Sequence, residues 1–297
     1  MSPRPPRKAL LFLGCTVPVR SLNYELSARK VAAALGIELR DRPDFDCCGF
    51  PLKSTNQDDA TVIAARALAQ AGRERLPLVT LCSACAGFLA ETAQRLDNDP
   101  QDRQAMNQRL APLGLRYRKG VKVRHFVRFI LEEVGLDEIR KKITRSLAGF
   151  VFAPHYGCHF LRPSEFIGGL DDPEDPASLA RVIAATGATA LDYPSLKDCC
   201  GGGVLGVDEA LAGRLAGAKL LDLADKDVSA LVLVCPFCNV MYEGQQRAIA
   251  RKMEKDIAVP VIYLTQLLGL AMGMRPAELG FKLNRVKPKA LLQKFAE

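Results

Sequence analysis

Short apolar runs recur along the chain, and each stops where the polarity changes. Ala9-Leu10-Leu11-Phe12-Leu13-Gly14 and Phe150-Val151-Phe152-Ala153-Pro154 are continuous rather than alternating, as strands buried on both faces of a parallel sheet are. Helical stretches follow, over Tyr24 to Leu35 and over Leu179 to Thr186. Extended segments come next, Ile37-Glu38-Leu39 and Ala190-Leu191-Asp192-Tyr193, and then helices over Asp58 to Ala71 and Val207 to Asp225. The runs Pro77 to Leu81 and Ala230 to Val234 predict two more buried strands.

The same order is therefore written twice. Both copies also close alike: Val121 to Phe126 leads into a helix over Val127 to Gly135, and Val259 to Leu264 into one over Thr265 to Gly273, each with a glycine at its end. Strands alternating with helices predict an α/β fold with two pseudo-repeated halves and parallel sheets. The expected division is 1–145 and 146–297, with the linker near Lys141 to Ala148. Asp97 to Gly120 reads as an insertion in the first half. Gly168 to Pro176, rich in Gly, Asp and Pro, reads as a loop inserted in the second.

The cysteines obey the repeat as well. Cys15 is followed after 31 residues by Cys47-Cys48-Gly49, and 33 residues separate Cys48 from Cys82-Ser83-Ala84-Cys85. Cys158 is followed after 40 residues by Cys199-Cys200-Gly201, and 34 residues separate Cys200 from Cys235-Pro236-Phe237-Cys238. That accounts for all ten cysteines. Cys15, Cys82, Cys158 and Cys235 each close a predicted strand, the end of the sheet at which ligands bind in such folds. Five thiols per half are thus expected to converge above each sheet. Thiolates gathered this way bind iron–sulfur clusters, bind zinc or form disulfides. Zinc and an ordinary cubane each need only four ligands, so five suit a cluster with more protein ligands; zinc in one half stays open.

Composition narrows these uses. At 297 residues, 48% hydrophobic and 25% charged, the chain can bury a large core. The basic start is followed by an apolar run too short for a signal-peptide core, and no stretch is long enough to span a bilayer. A cytoplasmic protein with reduced thiols is expected, which disfavours structural disulfides. The net charge is +8, and the tail from Phe281 to Glu297 is basic. It reads as a solvated, loosely held end, with docking on an acidic partner as the other possibility. No zinc-finger spacing, aromatic RNA-binding motif or arginine block points to nucleic acid. Gly201-Gly202-Gly203 lacks the lysine and hydroxyl of a phosphate loop.

The ordered cysteine set, together with the Gly14-Cys15-Thr16-Val17-Pro18 start, resembles the two cysteine-rich CCG domains of the B subunit of heterodisulfide reductase, over nearly the whole chain. The resemblance implies two non-cubane [4Fe-4S] clusters, one held by Cys15, Cys47, Cys48, Cys82 and Cys85 and the other by Cys158, Cys199, Cys200, Cys235 and Cys238. It implies two-electron cleavage or formation of a disulfide, with a flavin-containing A-type subunit and a ferredoxin-like C-type subunit as partners. The Ala-, Arg- and Pro-rich composition favours the related bacterial complexes of sulfur oxidation, which work with a lipoate-bearing sulfur carrier. The alternative is an electron-transfer subunit of a glycolate, lactate or glycerol-3-phosphate oxidising complex. This chain has no ferredoxin-type CxxCxxC run, so it must exchange electrons with another subunit.

Disulfide cleavage also consumes protons. Two of the three histidines, His155 and His159, flank Cys158 and are candidate proton-transfer residues; the other reading has them hydrogen-bond a cluster or a carbonyl and tune its potential. His125 reads as a packed or half-exposed residue. Gly49 and Gly201 are expected to make the tight turns that two successive ligands require. Lys53 and Lys197 lie near the CC pairs, where they either draw an anionic substrate or are simply solvated.

Overall fold

The computed structural model describes residues 7–295. In the first half, strands β1 (Arg7–Phe12), β2 (Ile37–Asp41), β3 (Leu78–Thr80) and β4 (Val123–His125) form a parallel sheet in the order β2-β1-β3-β4. In the second, β5 (Val151–His155), β6 (Thr189–Ala190), β7 (Ala230–Leu233) and β8 (Val261–Tyr263) repeat it as β6-β5-β7-β8. The expected α/β architecture with two pseudo-repeated parallel sheets is what the chain adopts. In this order the connections leave β1 and β3, or β5 and β7, toward opposite edges, which opens a crevice at their carboxyl ends. The strands are buried on both sides, with Leu10, Phe12, Val79, Leu231 and Val232 at most 1% exposed.

The helices begin where local chemistry allows. Asn56 caps Gln57–Ala71 by accepting from the Asp59 N–H at 3.1 Å, and Asp208 caps Glu209–Ala224 by accepting from Leu211 N–H at 2.8 Å. Val207, expected inside that second helix, lies outside it and is exposed. Of the extended segment at 190–193 only Ala190 is in strand, as the end of the two-residue β6. β5 carries Pro154, which has no N–H to give to the neighbouring strand; Tyr193 instead turns its hydroxyl to the Pro154 carbonyl, at 2.8 Å. The insertion after the first CxxC holds a helix, Pro100–Leu110, capped by Asp99.

The halves exchange helices. Helix Leu22–Ala34 of the first packs on helix Leu264–Ala271 of the second. There Tyr24 stacks on Tyr263, centroids 4.0 Å apart, and donates to the Val234 carbonyl at 3.1 Å. In return the short helix Cys158–Leu161 packs on Ser83–Asn98 of the first half, and Phe160 meets His125 edge-on at 5.0 Å. His125 is buried and packed, its Nε2 at 2.8 Å from that same Val234 carbonyl.

The tail is not a loose end. Phe281, Asn284 and Leu291 are each at most 2% exposed; residues 296–297 lie outside those described. Lysines alternate here with apolar residues that the core takes up. Asn284 donates to Val261 O at 2.7 Å and accepts from Gln266 Nε2 at 3.0 Å and Asn23 Nδ2 at 3.3 Å. It so ties the tail to both halves. Asn284→Ala leaves those buried groups unpaired, and denaturant unfolding is expected to show a loss of about 2–3 kcal/mol.

Candidate metal centre

Three features of each half put its thiols in one place. Cys15 and Cys158 follow the first strand across a positive-φ glycine, Gly14 or Gly157. Cys82 and Cys235 stand at the start of the helix after the third strand, so the CxxC spacing puts Cys85 and Cys238 one turn further on. The CC pairs turn at Gly49, φ +88°, and Gly201, φ +76°. A Cβ on Gly49 would lie 2.4 Å from the Ala60 carbonyl oxygen, and one on Gly201 2.6 Å from that of Ala212. Only glycine lets the pair come this close to its helix.

The ten thiols do not form two separate nests. Cys15 meets Cys47, at 3.9 Å, and Cys48 interacts with Cys47 and Cys85. Cys85 touches Cys82, and Cys82 reaches Cys235 across the boundary between the halves. From there contact runs through Cys238 and Cys200 to Cys199 and Cys158. The line is pseudo-symmetric about the Cys82–Cys235 contact. Its middle, Cys48, Cys82, Cys85, Cys200, Cys235 and Cys238, is buried; Cys15, Cys158 and Cys199 are exposed and Cys47 is half-buried. Phe50, just past the first CC pair, lies edge-on to His159 beside Cys158, centroids 4.7 Å apart. Residues flanking the two ends of the line are therefore in contact.

All ten thiols are free, and the surroundings favour soft, anionic ligands. Backbone N–H groups point at sulfur from Gly49 to Cys47 (3.4 Å), Gly201 to Cys199 (3.3 Å) and Gly202 to Cys200 (3.4 Å). Glycines also leave space against the sulfurs: a Cβ on Gly14 would sit 3.1 Å from Cys85 Sγ, and one on Gly157 3.4 Å from Cys238 Sγ. Bonds from Cys158 and Cys200 hold Cys199 down at about 2, and bonds from Cys238 and Cys82 hold Cys235 well below the ordinary thiol range. Their partners Cys158, Cys200 and Cys82 are pushed up chiefly by those same bonds, and Cys238 is pushed up first by its bond to Cys200 and then by that to Cys235. Thiolate is the form that binds metal, and this donor set fits an iron–sulfur group in each half.

The histidines differ from one another. His159 is half-buried, its Nδ1 3.2 Å from Cys158 Sγ; burial lowers its pKa. His155 is fully buried, with Nε2 3.2 Å from Cys238 Sγ and Nδ1 3.0 Å from Lys219 Nζ. Burial first, and the Lys219 charge second, push it well below the usual range. Lys219 was not legible as a site residue: it is 0% exposed, and burial lowers it to about 8. Lys53 pairs with Glu91 at 2.5 Å and Lys197 with Glu174 at 3.6 Å. Both sit in ordinary ion pairs.

The CCG cysteine-rich domain matches this chain twice, over residues 9–90 and 152–243. The chain belongs to the CCG family. Among curated CCG relatives it is 33% identical to the B subunit of the ferredoxin/F(420)H(2)-dependent CoB-CoM heterodisulfide reductase of Methanosarcina acetivorans, over 98% of this chain and 97% of that one. The 8-methylmenaquinol:fumarate reductase membrane anchor subunit of Wolinella succinogenes is 30% identical over 92% and 95%. Lactate utilization protein A of Bacillus cereus is 25% identical over 66% of this chain and 72% of its own length. A solved structure, a hypothetical protein from Helicobacter pylori, matches the fold over 96% of this chain with a TM-score of 0.77 at 18% identity; this chain spans 53% of it. The chain is thus a CCG-domain redox protein related to oxidoreductase subunits. Among the described residues no helix is long and apolar enough to cross a membrane.

Proposed function

We propose that this chain is the catalytic subunit of a heterodisulfide reductase-like complex. Two non-cubane [4Fe-4S] clusters would be held by Cys15, Cys47, Cys48, Cys82 and Cys85, and by Cys158, Cys199, Cys200, Cys235 and Cys238. When bound, they supply storage for electrons and iron with affinity for sulfur. The observation that carries the proposal is the thiol line itself: buried and continuous at its centre, open at both ends, with Phe50 and His159 beside those ends in contact. Such a site admits the two sulfurs of one disulfide together.

The conversion is RSSR′ + 2e⁻ + 2H⁺ → RSH + R′SH, or its reverse. The electrons come from, or go to, a flavin-containing A-type subunit through a ferredoxin-like C-type subunit. His159, beside the exposed Cys158, is the residue proposed to hand on a proton at Nδ1. His155, enclosed, donates to Cys238 and tunes that site. Identity of about a third to heterodisulfide reductase B subunits over nearly the whole chain supports disulfide chemistry. The Ala-, Arg- and Pro-rich composition supports placing it in cytoplasmic sulfur oxidation, on a lipoate-bound carrier.

Iron, sulfide and zinc in anaerobically purified protein test this, together with EPR of the oxidised form with and without a dithiol such as dihydrolipoamide. About eight irons with matching sulfide are expected for two four-iron sites, with a paramagnetic signal that needs the thiol. Full iron without any thiol response would favour the second reading, an electron-transfer subunit of a lactate-type oxidising complex, for which the lactate utilization relative speaks. Zinc in place of iron would sink the redox role of that half.

A further inference from the structure

The two thiol sites are alike in cysteines and unlike in what stands behind them. His155 lies three residues before Cys158, and the residue three before Cys15 is Phe12. The register agrees: Phe12 pairs with Thr80, two before Cys82, and His155 with Leu233, two before Cys235. Lys219 lies 19 residues after Cys200, and the residue 19 after Cys48 is Ala67. Here too the packing agrees, because Gly49 abuts Ala60 as Gly201 abuts Ala212, and those alanines each precede the compared position by seven residues. One site is thus backed by Phe12 and Ala67, both at most 1% exposed. The other is backed by His155 and Lys219, both fully buried.

Lys219 is an unusual cation. Its hydrogen bonds go to His155 Nδ1 at 3.0 Å and Leu196 O at 2.9 Å, and its ammonium lies 5.4 Å from the centre of the Tyr193 ring. It makes no ion pair with a carboxylate among the described residues. A buried charge without a paired carboxylate is costly, and the groups whose negative charge acts on it are Cys238, Asp198, Cys200 and Asp222. Its bond also orients the imidazole. An ammonium has only donors, so Nδ1 accepts and Nε2 carries the hydrogen. Nε2 therefore faces Cys238 as a donor. That excludes His155 as a sixth metal ligand through Nε2, although it lies with Cys200 and Cys238 in a group of ligand atoms within 4.8 Å of one another.

We infer that Lys219 and His155 make the second site the more readily reduced of the two, so that the first electron entering this chain rests on the group held by Cys158, Cys199, Cys200, Cys235 and Cys238. Lys219 acts as a positioning residue: it fixes the imidazole as a donor to sulfur and adds a positive charge behind it. Both effects favour the more negative, reduced form. The first site, with Phe12 and Ala67, has neither. This rests on the proposed clusters, though not on disulfide as their substrate.

The test is an EPR-monitored redox titration of the cluster-loaded chain, with dithionite as the one-electron reductant. Two waves are expected. In Lys219→Met the wave at higher potential should move down, the reduced-to-oxidised ratio at fixed potential falling about tenfold, or about 59 mV for one electron; the lower wave should stay. His155→Phe, which installs what the first half carries, should move the same wave. It should also remove the coupling of an exchangeable N–H proton to that cluster, a signature that loss of packing alone would not give. Unmoved waves in both variants, with the thiol-dependent signal intact, overturn this inference alone. A shift of the lower wave instead overturns it equally. A shifted upper wave in a protein that never responds to thiols supports the inference and sinks disulfide chemistry. A protein that takes up no iron overturns both.

Discussion

Cys200→Ser is expected to lose about half of the iron and all disulfide conversion, while the first site still loads and still accepts an electron. Cys200 joins the outer pair of its half, Cys199 and Cys158, to the inner pair, Cys238 and Cys235. A serine oxygen there is a hard, weakly acidic ligand in a place that suits soft sulfur. The mirror substitution, Cys48→Ser, should empty the other half. Iron analysis together with EPR of each purified variant checks the pair. If either single change removed all the iron, the two groups of five would be one indivisible site and the assignment of ligands by half would be wrong. If neither changed the iron, the CC pairs would not be ligands.

Gly201→Ala is expected to cost about 2–5 kcal/mol of stability and to unload the second site. Two terms add. An alanine at φ +76° occupies a left-handed conformation that costs about 1–2 kcal/mol. Its methyl group would also stand 2.6 Å from the Ala212 carbonyl oxygen, and relieving such overpacking costs about 1–3 kcal/mol. The helix Glu209–Ala224 cannot retreat without carrying Lys219 away from His155. Chemical denaturation checks the first effect and iron content the second. Gly203→Ala is the control, since a Cβ there meets nothing within 4 Å and its φ is not positive. Equal behaviour of the two variants would show that neither the turn nor the contact matters.

Much of this was legible in the sequence because it is local. Continuous apolar runs mark the strands, while the apolar pattern passes over the cap at Asp208 and places Val207 in the helix that starts after it. The doubled cysteine order says that the halves are alike. The Pro154 effect on β6 was readable in principle, since proline's missing donor is written in the sequence. What could not be read is how the two halves face one another. No period in the chain announces that Tyr24 lies on Tyr263, or that Cys82 meets Cys235. Lys219 was hidden for a different reason. Lysine on an amphipathic helix ordinarily marks the solvated side, and only a partner 64 residues away in the chain makes burial tolerable. The tail misled similarly: its lysines outweigh Phe281 and Leu291 in any average, yet those two residues decide where it goes.

The exchange of helices has a mechanical consequence. A two-lobed protein with a site in its seam commonly opens like a jaw. Here each lobe holds an arm of the other, and Thr144 and Arg145 in the connecting segment both donate to the Ala271 carbonyl at 2.9 Å. Prising the lobes apart would unstack Tyr24 from Tyr263 and pull Phe160 off His125 at once. Such cross-packing opposes opening of the seam, which leaves the exposed Cys15, Cys158 and Cys199 as the thiols a partner can meet from outside.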